Sequence, residues 1–271
     1  MNIFSVGDGK EYELTREAFI EKTHKSYPFY QDTKQYKTPY FAVCPACGNP
    51  IQIINLFSAQ YQEEHTGRTN LHGRHYRNNV KGLANFSEEK YINCPLHNPV
   101  AFRLKVLRNN EEINDEIRDI VDNNRSQICA RIREITGILL NNNKLNQIID
   151  NYIEARDYCY THTNKFNIPY SILYTREAIN IFGQKVDDSG IGQKIREAIQ
   201  NNSTYFKFVD GRIKSAVYDY VLLNLIVTNH KLIGSSQYMT IRIEEKKGKE
   251  IHTIFEEEVE MKQYVFHDIS K

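Results

Sequence analysis

Between Asn109 and Asn164, apolar residues recur at intervals of three and four. The sets are Ile113, Ile117, Ile120 and Val121, then Ile128, Ile132 and Ile135, then Leu145, Ile148, Ile149, Tyr152 and Ile153. With 3.6 residues per turn, each set falls on one helical face, so the spacing predicts two or three amphipathic helices. The run Asn141-Asn142-Asn143 marks a turn between them, because Asn tolerates left-handed backbone angles. A further helix is predicted from Ser171 to Phe182, stopped by Gly183. Another follows a Ser189 cap, with Ile191, Ile195, Ala198 and Ile199 on its apolar face.

After Asn202 the period shifts towards two. Tyr205 to Val209 reads as a strand closed by an Asp210-Gly211 turn, and Val217 to Val227 as a buried helix or strand. Tyr238 to Ile243 alternates, Lys246 to Lys249 turns the chain, and Ile251 to Val259 returns as the partner strand. An antiparallel sheet is the economical reading. Nearer the start, Thr15 is placed to cap a short helix through Phe19 and Ile20, followed by the tyrosine-rich stretch Tyr27, Tyr30, Tyr36 and Tyr40.

From Pro39 to Pro99 neither period holds. This stretch has prolines at 45, 50, 95 and 99, two short cysteine motifs and an insert rich in His and Arg, which suggests loops held by something other than a large core. The fold class expected is α+β: a zinc-knuckle module, a helical middle and a small antiparallel carboxy-terminal sheet. The boundaries expected are an amino-terminal segment 1–40, a metal-binding module 41–100, and a helical plus sheet domain 101–271.

The metal expectation rests on Cys44-Pro45-Ala46-Cys47-Gly48 paired with Cys94-Pro95-Leu96-His97. Two residues between ligands let one tight turn aim both side chains at a tetrahedral ion, and a second such turn completes the set. Gly48 suits a knuckle that needs a positive φ. Cys44, Cys47, Cys94 and His97 are therefore the expected ligands of one structural zinc. The motif resembles the knuckles of zinc ribbons and treble clefs over residues 40 to 100 only. Cys129, on an apolar helical face, and Cys159 are read as buried small hydrophobes.

The chain carries 35 Lys and Arg against 34 Asp and Glu, so its overall charge commits it to no partner. Position changes that picture. From His65 to Arg108 there are eight Lys and Arg against two Glu. A basic, Asn- and Tyr-bearing loop suits a polyanion, so DNA or RNA is the expected partner. Arg68, Arg74, Arg77 and Lys81 would contact phosphate, while Tyr76 and Asn78 would touch bases. A protein partner docking on the zinc module is the alternative.

The sequence assigns no reaction. His72 and His75 share a face if their segment is helical, and with His65 they offer a general base or a second divalent-metal site. The order C-x2-C, histidines, Asn, C-x2-H is similar to zinc-supported HNH endonucleases, without their adjacent Asp-His or His-His pair. That resemblance implies a metal-dependent nuclease of defence or mobile-element type, with His72 or His75 as base and Asn85 as the orienting Asn. Two weaker patterns are Arg156 with His162, spaced as in HEPN-type ribonucleases, and Asp219, Glu245 and Lys247, ordered as in PD-(D/E)xK nucleases.

Charges at Asp8, Lys10, Glu11 and Glu13 interrupt any signal-peptide core, and Val217 to Val227 is shorter than the roughly 20 residues a bilayer needs. A cytoplasmic protein with no membrane association is expected. Absent Trp and abundant Ile, Asn, Lys and Tyr match the usage of an AT-rich bacterial or phage genome.

Overall fold

The computed structural model describes residues 1–32, 34–35, 37–57, 71–234 and 236–266. They form two units, one of residues 1–100 with 262–265, the other of 101–261 with 266. Among the described residues the chain is mixed α and β, with short helices and small antiparallel sheets.

The first unit opens with a ribbon of β1 (Ile3–Phe4) and β2 (Tyr12–Glu13). Helix α1 (Arg16–Thr23) starts where predicted, the Thr15 hydroxyl accepting the Ala18 N–H at 3.0 Å. Phe19 on its inner face meets Phe4, ring centroids 5.4 Å apart. Strands β3 (Phe41–Val43), β4 (Pro50–Ile54) and β5 (His72–His75) make a three-stranded antiparallel sheet in that order. Phe41, Ile51 and Ile53 are buried in it. Helix α2 (Glu88–Ile92) follows Ser87, whose hydroxyl accepts the Lys90 N–H. The unit is completed from far along the chain. Asn2 donates to the Gln263 side chain and carbonyl at 3.0 and 2.9 Å, and the Gln263 N–H returns to the Asn2 side chain at 2.8 Å.

The second unit contains the helices read from the 3.6-residue period: α3 (Glu111–Asn123), α4 (Arg125–Thr136) and α5 (Asn142–Glu154). Asn110 and Asn141 cap the first and third, so the Asn run begins a helix as well as ending a turn. Ile113 is 41% exposed in the first turn of α3, while its neighbour Asn114 is buried and accepts from Arg108 at 3.1 Å.

The helix expected over 171–182 is instead α6, Ile168–Tyr174, with Pro169 in its first turn. The chain then extends, because Ile179 is buried by pairing with Leu225. Helix α7 (Gly190–Asn202) buries Ile195 and Ile199 as predicted.

Two four-stranded sheets accompany these helices. In chain order their strands are β6 (Ile138–Leu139), β7 (Ile179–Asn180), β8 (Lys185–Val186), β9 (Phe206–Val209), β10 (Arg212–Ser215), β11 (Leu222–Ile233), β12 (Ser236–Lys247) and β13 (Glu250–Glu260). One sheet runs β6-β8-β10-β9, the other β13-β12-β11-β7. Asp210 and Gly211, both at positive φ, turn β9 into β10, the backbone geometry a two-residue hairpin needs. Leu223, Leu225, Val227, Met239, Ile241 and Ile243 alternate inward to form the core of the long hairpin. Among the described residues no helix is long and apolar enough to cross a membrane.

Candidate metal centre

Strand β3 runs directly into Cys44. The Gly48 N–H donates to the Cys44 carbonyl at 2.9 Å and the Cys44 N–H to the Asn49 carbonyl at 2.8 Å, folding Cys44 to Cys47 into a tight knuckle. Gly48 sits at φ +73°, the conformation its position after Cys47 calls for. At Cys94 a second turn closes, with the His97 N–H donating to the Cys94 carbonyl at 3.0 Å.

Asn49, only 1% exposed, ties the two turns together. Its amide donates to the Ser87 carbonyl at 3.0 Å and its side-chain oxygen accepts the Ser87 N–H at 2.7 Å, fixing the start of the helix that leads to Cys94.

The donors that converge are Cys44, Cys47, Cys94 and His75, with all four ligand atoms within 4.8 Å of one another. Cys44 Sγ lies 3.7 Å from Cys94 Sγ, and Cys47 Sγ lies 3.4 Å from His75 Nε2. Zinc bonds of about 2.3 Å to sulfur and 2.0–2.1 Å to nitrogen at a tetrahedral angle require separations of about 3.8 Å and 3.6 Å. The set therefore suits a structural metal such as zinc, and four protein ligands leave no open position for a reacting water.

The fourth donor differs from the expected His97. His75 ends β5, where it lies opposite Ile51 on β4, the strand that emerges from the first knuckle. His97 turns aside and stacks on Tyr91, with centroids 3.7 Å apart and planes at 21°, its ring 5.7 Å from that of His75. The Arg77 guanidinium covers Tyr91 at 5.2 Å. Burial, then the charges of His75 and Arg77, press the His97 pKa below its ordinary value.

The three thiols behave as one acid. Hydrogen bonds from Cys44 and then Cys94 favour the Cys47 thiolate and lower its pKa. The same contact with Cys47, then that with Cys94 and burial, push Cys44 up. At Cys94 the hydrogen bond with Cys44 pulls down, but the one with Cys47, together with burial, prevails and raises it to about 11. A divalent cation bound here would replace these protons, so its binding would release them.

The remaining candidates separate. His65 and Arg68 lie outside the described residues. His72 and His75 were expected to share a face on a helix, but they occupy a strand, where positions three apart face opposite sides. His75 Nε2 lies against Cys47 Sγ, which places it with the converging metal donors. Asn85, the orienting residue of the HNH-like reading, is exposed.

Arg74, Arg77, Asn78 and Lys81 are exposed along the end of β5 and the loop after it. Arg74 bonds Gln52 at 3.4 Å, and Arg77 pairs with Glu88 at 2.9 Å. Tyr76, expected to meet bases, is half-buried and packs edge-on against Phe41 at 5.2 Å.

The side chains of the two weaker constellations lie outside the metal-donor group. Arg156 turns outward to Glu111 at 3.1 Å, while His162 is buried. Glu245 is 1% exposed and accepts the Ser203 hydroxyl and the Thr204 and Tyr205 N–H groups, and Lys247 pairs with Asp219 at 2.6 Å. Cys129 and Cys159 are both buried, away from any such group among the described residues. Sequence reasoning offered His75 as a donor to a second metal and not to this one, and it missed Asn49 as the tie between the knuckles.

No family model matches the sequence, and neither curated proteins nor solved structures give a significant match.

Proposed function

We propose that Cys44, Cys47, His75 and Cys94 hold one structural zinc ion, and that the basic segment fixed by that ion binds DNA or RNA. The observation that carries this reading is the position of His75. It is a metal donor in the middle of the basic segment, with exposed Arg74 before it and exposed Arg77, Asn78 and Lys81 after it. A strand alternates its side chains, so anchoring His75 on the ion turns Arg74 to the opposite side. The ion thus orders cations that would otherwise lose freedom on meeting a phosphate backbone, which lowers the entropic cost of binding. Arg74, Arg77 and Lys81 act as phosphate contacts and Asn78 as the group nearest the bases.

The test is a fluorescence anisotropy titration of the zinc-loaded full chain with single- and double-stranded oligonucleotides between 50 and 200 mM salt, a span over which phosphate contacts weaken measurably. The expected slope of log K against log salt is about −2 to −3 for three phosphate contacts, from about −0.7 to −0.9 per contact. A triple Arg74→Ala, Arg77→Ala, Lys81→Ala variant keeps its zinc and loses most of that slope. Binding that is absent, or indifferent to salt, overturns the reading.

A further inference from the structure

The outward face of the sheet β6-β8-β10-β9 gathers cations whose charges are unpaired among the described residues. Its four strands hold twelve residues, among them Lys185, Lys207, Arg212 and Lys214, all exposed, and no acid. The register sets these cations against one another, Arg212 opposite Lys185 and Lys214 opposite Lys207. Directly opposed residues of paired strands have Cα atoms about 4.5–5.5 Å apart, and like charges so placed destabilise a sheet. None of the four makes an ion pair among the described residues. Arg212 alone has a side-chain hydrogen bond, donated to the Gly183 carbonyl at 3.1 Å.

The unit does not lack acids to pair with them. On β13, Glu256, Glu257 and Glu258 each meet a cation. The acids that flank the basic strands along the chain are also engaged elsewhere: Asp187 accepts from Ser189, Asp188 pairs with Arg196, and Asp219 pairs with Lys247 at 2.6 Å. Asp210, in the turn between β9 and β10, is the exception, so four cations stand against one acid.

Apolar side chains share the face. Leu139 lies opposite Lys185 and Val209 opposite Arg212, so one row across the sheet reads Leu139, Lys185, Arg212, Val209, its aliphatic ends 39% and 40% exposed. The pairing of β9 with β10 runs on to Ala216, whose N–H donates to the Tyr205 carbonyl at 2.8 Å. At that end Lys247 lies 5.3 Å over the Tyr205 ring and holds Asp219. On either side of Asp219, Tyr218 and Tyr220 are exposed, Tyr218 completely.

The mixture decides the partner. A nucleic-acid strand is held by cations and aromatic faces and gains little from aliphatic side chains at the ends of a cation row. A bilayer surface uses all three kinds of group. Anionic headgroups attract Lys and Arg, the acyl boundary takes Leu and Val, and Tyr rests between them with its hydroxyl towards water.

We propose that this face docks on the surface of an anionic phospholipid bilayer, with the four cations against the headgroups, Leu139 and Val209 towards the acyl boundary, and Tyr218 and Tyr220 at headgroup level. Docking of this kind needs no spanning segment. The face belongs to the second unit alone and does not depend on nucleic-acid binding by the first.

The zinc-loaded full chain is sedimented with phosphatidylcholine vesicles, with and without phosphatidylserine. It binds those that contain phosphatidylserine, and less as salt rises. The variant Lys185→Gln, Lys207→Gln, Arg212→Gln, Lys214→Gln relieves two like-charge pairs and melts no lower than the parent. It binds the vesicles at least about a hundredfold more weakly, because each cation near an anionic surface contributes about fivefold. The chain has no Trp, so Tyr218→Trp supplies a single reporter, whose emission shifts to the blue on phosphatidylserine vesicles. Arg74→Ala, Arg77→Ala, Lys81→Ala binds the vesicles as the parent does, which separates this face from the basic segment of the first unit. Absent vesicle binding, equal binding by the Gln variant, an unmoved Tyr218→Trp emission, or loss of vesicle binding in the Ala variant overturns the proposal. So does oligonucleotide binding that disappears with the four cations while vesicles are ignored, an outcome that assigns the face to nucleic acid.

Discussion

His75 and His97 compete for one role, and the geometry separates them by side-chain direction. Replacing His75 by Ala removes a donor that touches Cys47 and leaves a three-sulfur site. His97→Ala removes a ring stacked on Tyr91. Native mass spectrometry after challenge with a chelator is expected to find zinc retained by His97→Ala and lost from His75→Ala. Cys44 and Cys47 were legible because a knuckle is chain-local: two intervening residues and a glycine define it, whereas Cys94 was reached through its spacing to His97, which is not among the converging donors. The histidine donor was not legible, because its place depends on which residue of β5 meets Ile51, and that register belongs to strand pairing. His162 makes a second residue-scale prediction. Its folded pKa, pressed by burial to about 4 from 6.5, lies below the unfolded value, so stability is full above pH 6.5 and falls as pH drops towards 4. The loss is about 1.4 kcal/mol per pH unit within that window, and His162→Phe is expected to remove that part of the slope in urea titrations.

Among the elements, those whose apolar residues all meet one neighbouring surface were the readable ones. Helices α4, α5 and α7 and the hairpin of β12 and β13 follow their periods closely, whereas the stretch read as a helix or strand over Val217 to Val227 becomes a strand only from Leu222 and runs on to Ile233. Strand β7 is two residues long and has no period of its own; Ile179 is extended because β11 offers it an edge. Close approach between elements was equally hidden. Gly137 ends α4 at φ +63°, and a Cβ there would lie 2.5 Å from the Gly192 nitrogen and 2.6 Å from its Cα in α7. Backbone cannot yield as a flexible side chain does. Gly137→Ala is therefore expected to destabilise the protein by at least ~2 kcal/mol in chemical denaturation, above the cost of the left-handed angle alone. Gly183→Ala, also at positive φ but with nothing within 4 Å, is the control and is expected to lose about 1 kcal/mol.

On the scale of the whole molecule, the even charge balance conceals two separate arrangements. The acidic run of β13 is engaged within its own unit: Glu256 pairs with Arg242 at 2.6 Å, Glu257 with Lys194 at 2.8 Å, and Glu258 with Lys231. These acids sit on an edge strand, where charge discourages pairing with another sheet. The basic segment after β5 has its own partial counter-charge in Glu88. Because the metal donors all lie in the first unit, chelation is expected to expose residues 1–100 to protease while a fragment spanning 101–261 persists, as a timed digest with and without chelator would show. The bonds between Asn2 and Gln263 have a consequence in time. The first unit is discontinuous in sequence, so its last piece leaves the ribosome only after residues 101–261 of the second. At about 5–20 residues per second, translation of residues 101–261 imposes a wait of roughly 10–30 s, during which the nascent metal module must persist without its closing segment.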